Sequence, residues 1–202
     1  MIIMLNGTSS SGKSSVAKAI NIISPKPFLH MGIDTIYSMM PESYINSAKN
    51  SLDGFGLVVD SSDSRPVKVV FGSYGQKVRD CSPKMVAAFE SAGLDLIVDE
   101  VFEGDRFLVD YVKLFQTKKV YFVGVFCDLK TTIERELLRP SRAKGLAQNQ
   151  FKVVHEPNRF YDLEINTTKT SPFDCAKNIL DFIEKNPNPK SMSLILQRLN
   201  KI

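Results

Sequence analysis

Residues Gly7-Thr8-Ser9-Ser10-Ser11-Gly12-Lys13-Ser14 fill the pattern GxxxxGK[ST] without a gap. Such a stretch has to follow a buried strand and open a helix. Its glycines let the backbone curl so that N–H groups point inward around a phosphate. Lys13 then brings a cation to the outer phosphates, and the helix that follows presents its positive end. The Ser14 hydroxyl is a hard oxygen suited to Mg²⁺. By residue frequencies the pattern arises by accident in on the order of one chain in a hundred of this length. Here the apolar run Ile2–Asn6 precedes it and an amphipathic stretch, Lys13–Ile23, follows. Both flanks match the requirement, so the motif predicts a nucleotide-binding loop.

The rest of the chain repeats the same alternation. Short apolar runs at Phe28–Ile33, Leu94–Asp99, Val120–Phe126 and Phe160–Ile165 read as strands. Helical patterns at Gln76–Ser91, Phe107–Phe115, Thr131–Leu138 and Phe173–Ile183 fall between or after them. This is the pattern of βαβ units and predicts an α/β fold with a parallel sheet. One stretch departs from it: Gly56–Val59 and Val67–Phe71 flank the polar turn Asp60–Pro66, which predicts an inserted hairpin. Residues 1–185 are expected to form one domain. A short tail, 186–202, carries Met192, Ile195, Leu196, Leu199 and Ile202 at helical spacing. That stripe either packs back on the same domain or makes a homodimer contact.

A chain of 202 residues with 43% hydrophobic and 24% charged side chains can bury a full core, which excludes a disordered or disulfide-dense chain. Its net charge of +4 is too mild to argue for a nucleic-acid partner. Cys81, Cys127 and Cys175 lie far apart and the only histidines are His30 and His155, so a zinc cluster is not expected. With no signal-peptide core and no apolar run of spanning length, the reading is a soluble cytoplasmic protein without a membrane partner.

Four further sets of residues bear on the chemistry. Leu96-Ile97-Val98-Asp99-Glu100 runs an apolar strand into an acid, the arrangement in which Asp99 would hold Mg²⁺. Glu100, on the strand's other face, is open to a solvated or a catalytic role. Asp34, just past the second strand, is expected at the carboxyl end of the sheet, where ligands bind. It is either the carboxylate that orients an acceptor hydroxyl or a cap for a helix beginning at Ile36. Met39, Met40, Phe55, Phe71, Tyr74 and Phe102 could line an apolar acceptor pocket or belong to the core. Arg135, Arg139 and Arg142 cluster after the fourth strand, where an arginine-bearing loop could close over phosphates; the alternative is a solvated basic turn.

Taken together, MIIMLNGTSSSGKSS, MGIDTIYSMMP from Met31, LIVDEVF from Leu96, FVGVFCD from Phe122, RELLRPSR from Arg135 and YDLEINTT from Tyr161 resemble, in this order, the chloramphenicol phosphotransferase-like family of P-loop kinases. The resemblance implies a five-stranded parallel sheet in the order 2-3-1-4-5, with helices on both faces. It also implies Mg²⁺-dependent transfer of the ATP γ-phosphate to a hydroxyl of a small molecule. By position, Asp34 matches the family's base, Lys13 and Ser14 its phosphate and magnesium residues, and Arg139 and Arg142 its lid arginines. The lid here reads Arg139-Pro140-Ser141-Arg142 where a Gly-Asp pair is expected between the arginines. On this reading the backbone from Gly7 and Thr8 through Ser9, Ser10, Ser11, Gly12, Lys13, Ser14 and Ser15 cradles the phosphates. Arg135, Thr167 and Thr168 would lie on the nucleotide side, the two threonines bordering the adenine. Three alternatives share the loop: a zeta-toxin-like kinase of a nucleotide sugar or nucleic-acid end, a shikimate- or adenylate-type kinase, and a non-catalytic nucleotide-binding module.

Overall fold

A computed structural model of the chain describes residues 1–45, 53–58, 68–139, 144–156 and 159–200. Its centre is β1 (Ile2–Asn6), an apolar strand whose five residues are all buried. Because side chains alternate across a strand, Ile2 and Met4 enter one core while Ile3 and Leu5 enter another on the opposite face. β1 pairs in parallel with β5 (Leu96–Glu100) on one side and with β6 (Val120–Phe126) on the other. β2 (Leu29–Gly32) lies outside β5, and β7 (Leu163–Asn166) outside β6. The order is β2-β5-β1-β6-β7. Numbering only these sheet strands along the chain gives the expected 2-3-1-4-5.

Helices cover both faces. The first face carries α1 (Lys13–Ile23) and α7 (Pro172–Lys185), whose Val16, Ala17, Ile20, Ala176 and Ile179 pack with Ile3 and Leu5. α7 starts one residue before the expected Phe173: Ser171 accepts the Asp174 N–H at 3.1 Å and Pro172 takes the first helical position. The second face carries α3 (Ser73–Ser91) and α4 (Asp105–Phe115), with Val86, Leu108, Tyr111, Val112 and Phe115 in the core. The spacing 108, 111, 112, 115 is one helical stripe. α8 (Ser191–Leu199) also packs here, burying Met192 and Ile195 beside α4 and β6. The Asp162 carboxylate holds it in place by accepting the N–H groups of Lys190 at 2.7 Å and Ser191 at 3.1 Å. The apolar stripe of the tail is thus used within the chain. No helix among the described residues is long and apolar enough to cross a membrane.

The inserted hairpin is present: β3 (Phe55–Val58) pairs antiparallel with β4 (Lys68–Phe71), Phe55 opposite Phe71. Its turn, 59–67, lies outside the described residues. Other boundaries differ from the sequence reading for physical reasons. The second strand stops at Gly32, and the chain turns at once into α2 (Ile33–Ser38). The last strand starts at Leu163 rather than Phe160, because Asp162 exchanges bonds with the Phe122 backbone through both its N–H and its carboxylate. α5 (Leu129–Leu137) begins two residues early, capped by the Asp128 carboxylate on the Thr131 N–H at 2.7 Å. A further helix, α6 (Leu146–Phe151), was not expected. Its start is fixed by the buried Glu136 carboxylate, which accepts from the Gly145 N–H at 2.6 Å and the Ala147 N–H at 2.9 Å.

Candidate active site

The loop from β1 to α1 is built around close approach and an unusual backbone. A side chain at Gly7 would stand 2.4 Å from the Val125 carbonyl oxygen, so only glycine fits between the loop and β6. Ser10 holds a left-handed φ of 61° and Gly12 one of 95°. A non-glycine residue in this region stores strain, as is common where backbone amides are arranged for a ligand. The Ser10 and Ser11 hydroxyls are buried and, among the described residues, have no hydrogen-bond partner. Buried hydroxyls of this kind suit an incoming oxyanion. Lys13 Nζ donates to the carbonyls of Gly7 and Thr8, both at 2.8 Å, and lies 3.9 Å from Asp99.

Asp99, the penultimate residue of β5, meets the loop at Ser14 and Lys13. Its carboxylate accepts the Ser14 hydroxyl at 2.5 Å, and His30 Nε2 stands 3.6 Å away. Burial alone would raise its pKa, but His30, Lys13 and Ser14 outweigh it and hold the group below its ordinary value. Ser14 Oγ and Asp99 therefore offer a charged and a neutral hard oxygen side by side, which is the donor chemistry Mg²⁺ prefers. Glu100 is neither solvated nor on the cavity wall, correcting the sequence reading. It is 1% exposed, and one oxygen takes bonds from Arg79 at 2.9 Å, Ser82 at 3.2 Å and Tyr111 at 2.8 Å.

Ser9, Ser10, Gly12, Lys13 and Ser14 form one wall of a cavity of about 290 Å³. Asp34 lies on the same cavity, in the first turn of α2. Because α2 begins at Ile33 with Gly32 as its cap residue, Asp34 is not the cap of a helix starting at Ile36. The opposite wall is aromatic. Tyr37 stacks on Phe55 with centroids 4.4 Å apart, and Phe71 stands 5.8 Å from Phe55 and 6.0 Å from Phe107. Burial pushes the Tyr37 hydroxyl pKa far up, so it stays protonated.

Of the expected acceptor residues, Phe55 and Phe71 line this cavity and four others do not. Met39 follows the end of α2 and is 60% exposed. Met40 is buried where the chain turns back on the Tyr37 carbonyl. Tyr74, in the first turn of α3, faces Tyr44, 5.0 Å away. Phe102 belongs to the core, edge-on to Tyr111 and Phe122. Arg139, just past α5, reaches the cavity, whereas Arg142 lies outside the described residues. Arg135 and Thr167 stand behind the loop: Arg135 donates to the Thr167 carbonyl at 2.7 Å, and Thr167 to the Ser11 carbonyl at 2.6 Å. Thr168 accepts the Asp128 N–H at 2.9 Å, next to the start of α5, and Ser15 is exposed on α1.

Sequence reasoning missed Tyr37, Gln76, Arg79, Glu103, Arg106, Phe107 and Gln150, all on the cavity wall. For Arg79 a signal existed. It lies on the buried stripe of α3 with Gly75, Ser82, Pro83 and Val86, and a charge at an apolar position of a helix marks an inward-facing group. Gln150 gave no such signal. Its side chain accepts the Ser9 N–H at 2.7 Å and donates to Glu103 at 2.7 Å, a relay visible only in three dimensions.

A phosphate loop at the centre of a 2-3-1-4-5 sheet, facing an acid-tipped neighbouring strand, defines a P-loop kinase. Solved structures agree on the fold. The gluconokinase of Sinorhizobium meliloti superposes with a TM-score of 0.61 at 15% identity, over 96% of this chain and 95% of that one. The Mycobacterium tuberculosis APS kinase, solved with AMPPNP and APS, gives 0.61 at 14% identity over 91% and 97%. A family profile described as chloramphenicol phosphotransferase-like protein matches residues 1–184, and the chain belongs to that family. Two proposed O-phosphotransferases of Mycobacterium tuberculosis, from strains CDC 1551 / Oshkosh and H37Rv, are each 25% identical over 98% of this chain and 88% of their own length. The protein is thus a kinase-type phosphotransferase.

Proposed function

We propose that the protein moves the γ-phosphoryl group of ATP to a hydroxyl of a small molecule held against the aromatic wall. The observation that carries this reading is that Asp34, the phosphate loop and the aromatic cluster share one cavity. Loop amides and the Lys13 ammonium bind and orient the phosphates, and the Ser10 hydroxyl, which has no partner among the described residues and whose residue lines the cavity, joins them. Arg135, Thr167 and Thr168 border the nucleotide on the far side of Gly12, and Arg139 reaches the phosphates from the end of α5. Ser14 and Asp99 would hold Mg²⁺, which supplies charge neutralisation across the phosphates. Asp34 orients the acceptor hydroxyl and takes its proton as the new O–P bond forms and the bond to the ADP oxygen breaks. Tyr37, Phe55, Phe71 and Phe107 exclude water around that hydroxyl, which favours transfer over hydrolysis.

The test is incubation with Mg-ATP and chloramphenicol, in parallel with a panel of small primary and secondary alcohols, read by mass spectrometry. The reading predicts ADP and a singly phosphorylated acceptor in equal amounts. ADP with only free phosphate, or no product from any hydroxyl compound, would refute it.

A further inference from the structure

The cavity holds cationic groups that neither the nucleotide nor the acid at Asp34 requires. On the wall away from the phosphate loop, the ring of Phe107 is flanked by two guanidinium groups. Arg79 lies 4.4 Å from its centroid and Arg106 lies 5.5 Å from it. Both arginines line the cavity, with Gln76 beside them. Arg79 is 3% exposed, and its bond to Glu100 engages only Nη1. A guanidinium is a fork of several donors in one plane, so one carboxylate oxygen leaves the rest of the fork for another acceptor. Glu100 has a structural effect as well: with Ser82 and Tyr111 it fixes the plane of Arg79, so little freedom is lost when a ligand binds.

The two cations of this wall are paired differently. Arg79 is balanced by Glu100, whereas no carboxylate lies within ion-pair distance of Arg106 among the described residues. Glu103, which also lines the cavity, keeps its negative charge but accepts from the Gln150 amide rather than from Arg106. A wall that combines aromatic rings with an oriented guanidinium and a second cation at its rim suits a flat apolar body carrying an oxyanion. A ligand with no acceptor at this point would displace water from the remaining donors of Arg79 without replacing its hydrogen bonds, and an oxyanion makes stronger ones than a neutral oxygen does.

We infer that the acceptor is a small anionic alcohol: its hydroxyl meets Asp34, and a carboxylate or phosphate on the same molecule is held by Arg79 and Arg106 across the Phe107 ring. This rests on the phosphotransferase reading for the hydroxyl, but the anion subsite can be measured without turnover. Binding is followed by calorimetry in the presence of Mg-AMPPNP with three matched probes, 4-(hydroxymethyl)benzoate, 4-(hydroxymethyl)phenyl phosphate and the neutral 4-(hydroxymethyl)benzamide. Replacing Arg79 alone would strand the buried Glu100, so the variants are the charge-neutral pair R79Q/E100Q, R79K and, independently, the exposed R106Q, each checked for folding by thermal melting.

At least one anionic probe is expected to bind about tenfold or more tighter than the amide, the worth of one charge-assisted contact. That preference should collapse in R79Q/E100Q, fall in R79K because the planar fork is lost, and shrink in R106Q. Whether the carboxylate or the phosphate leads identifies the source of the oxyanion. Equal affinity for all three probes, no binding of any, or a preference untouched by every variant would overturn the inference. A preference that follows the variants, with no phosphoryl transfer to any bound probe, would keep the anion subsite and refute the phosphotransferase reading.

Discussion

His155 titrates in a place where protonation should loosen the floor of the site. Its ring stacks on Phe126, at the end of β6, with centroids 3.9 Å apart, and its Nδ1 pairs with the Tyr161 hydroxyl at 2.8 Å. Tyr161 in turn accepts from Asn6 at 2.7 Å, and Asn6 ends the strand that feeds the phosphate loop. Burial lowers the His155 pKa from 6.5 to about 4, with Lys13 and Arg159 adding to the effect. The folded state therefore resists a proton that the unfolded chain accepts, and stability is lost as pH falls from 6.5 towards 4. At pH 5 the full difference would be about 2 kcal/mol, and solvent screening of the half-buried ring reduces this to about 1 kcal/mol. The assay is urea unfolding of the parent and of His155→Gln at pH 7.5 and 5.0. The variant loses the stack at both pH values, so only the change with pH reports the titration. The parent should lose about 1 kcal/mol more than the variant between the two, roughly 2–4 °C in Tm. Identical pH dependence in both proteins would refute the argument.

Other outcomes follow from individual contacts. Glu136→Ala removes the carboxylate that holds the start of α6, and should cost about 2–4 kcal/mol by denaturant unfolding; an unchanged midpoint would show that the clamp contributes nothing. Gly7→Ala puts a methyl 2.4 Å from the Val125 carbonyl oxygen, so it should destabilise the chain and cut AMPPNP affinity more than tenfold. AMPPNP affinity within a factor of about two of the parent would show that the loop tolerates displacement.

Much of this architecture is readable in the chain because local pattern and global fold agree. The phosphate-loop motif fixes the strand before it and the helix after it, and the apolar runs 2–6, 96–98 and 120–126 can only be buried strands. The carboxyl ends of β2 and β5 then place Asp34 and Asp99 at one edge of the sheet. What escaped the sequence is of two kinds. Phe102 and Phe71 look alike as letters, yet one is sealed between Tyr111 and Phe122 and the other faces the cavity; only packing separates them. The start of α6 is set by Glu136, a group outside the helix itself, so no periodicity or cap inside 146–151 announces it. Arg79 is the exception, since a charge on the buried stripe of α3 is visible in the sequence itself.

On the proposed mechanism two residues of one cavity have separate tasks, Lys13 binding the phosphates and Asp34 serving only the acceptor. Measuring Mg-AMPPNP affinity and single-turnover phosphoryl transfer in Asp34→Asn and Lys13→Ala tests this most directly. Asp34→Asn should keep nucleotide affinity within about twofold while transfer falls by a factor of about 10² or more. Lys13→Ala should lose affinity and transfer together. Transfer by Asp34→Asn within a few-fold of the parent, or parental nucleotide affinity in Lys13→Ala, would contradict the proposed mechanism.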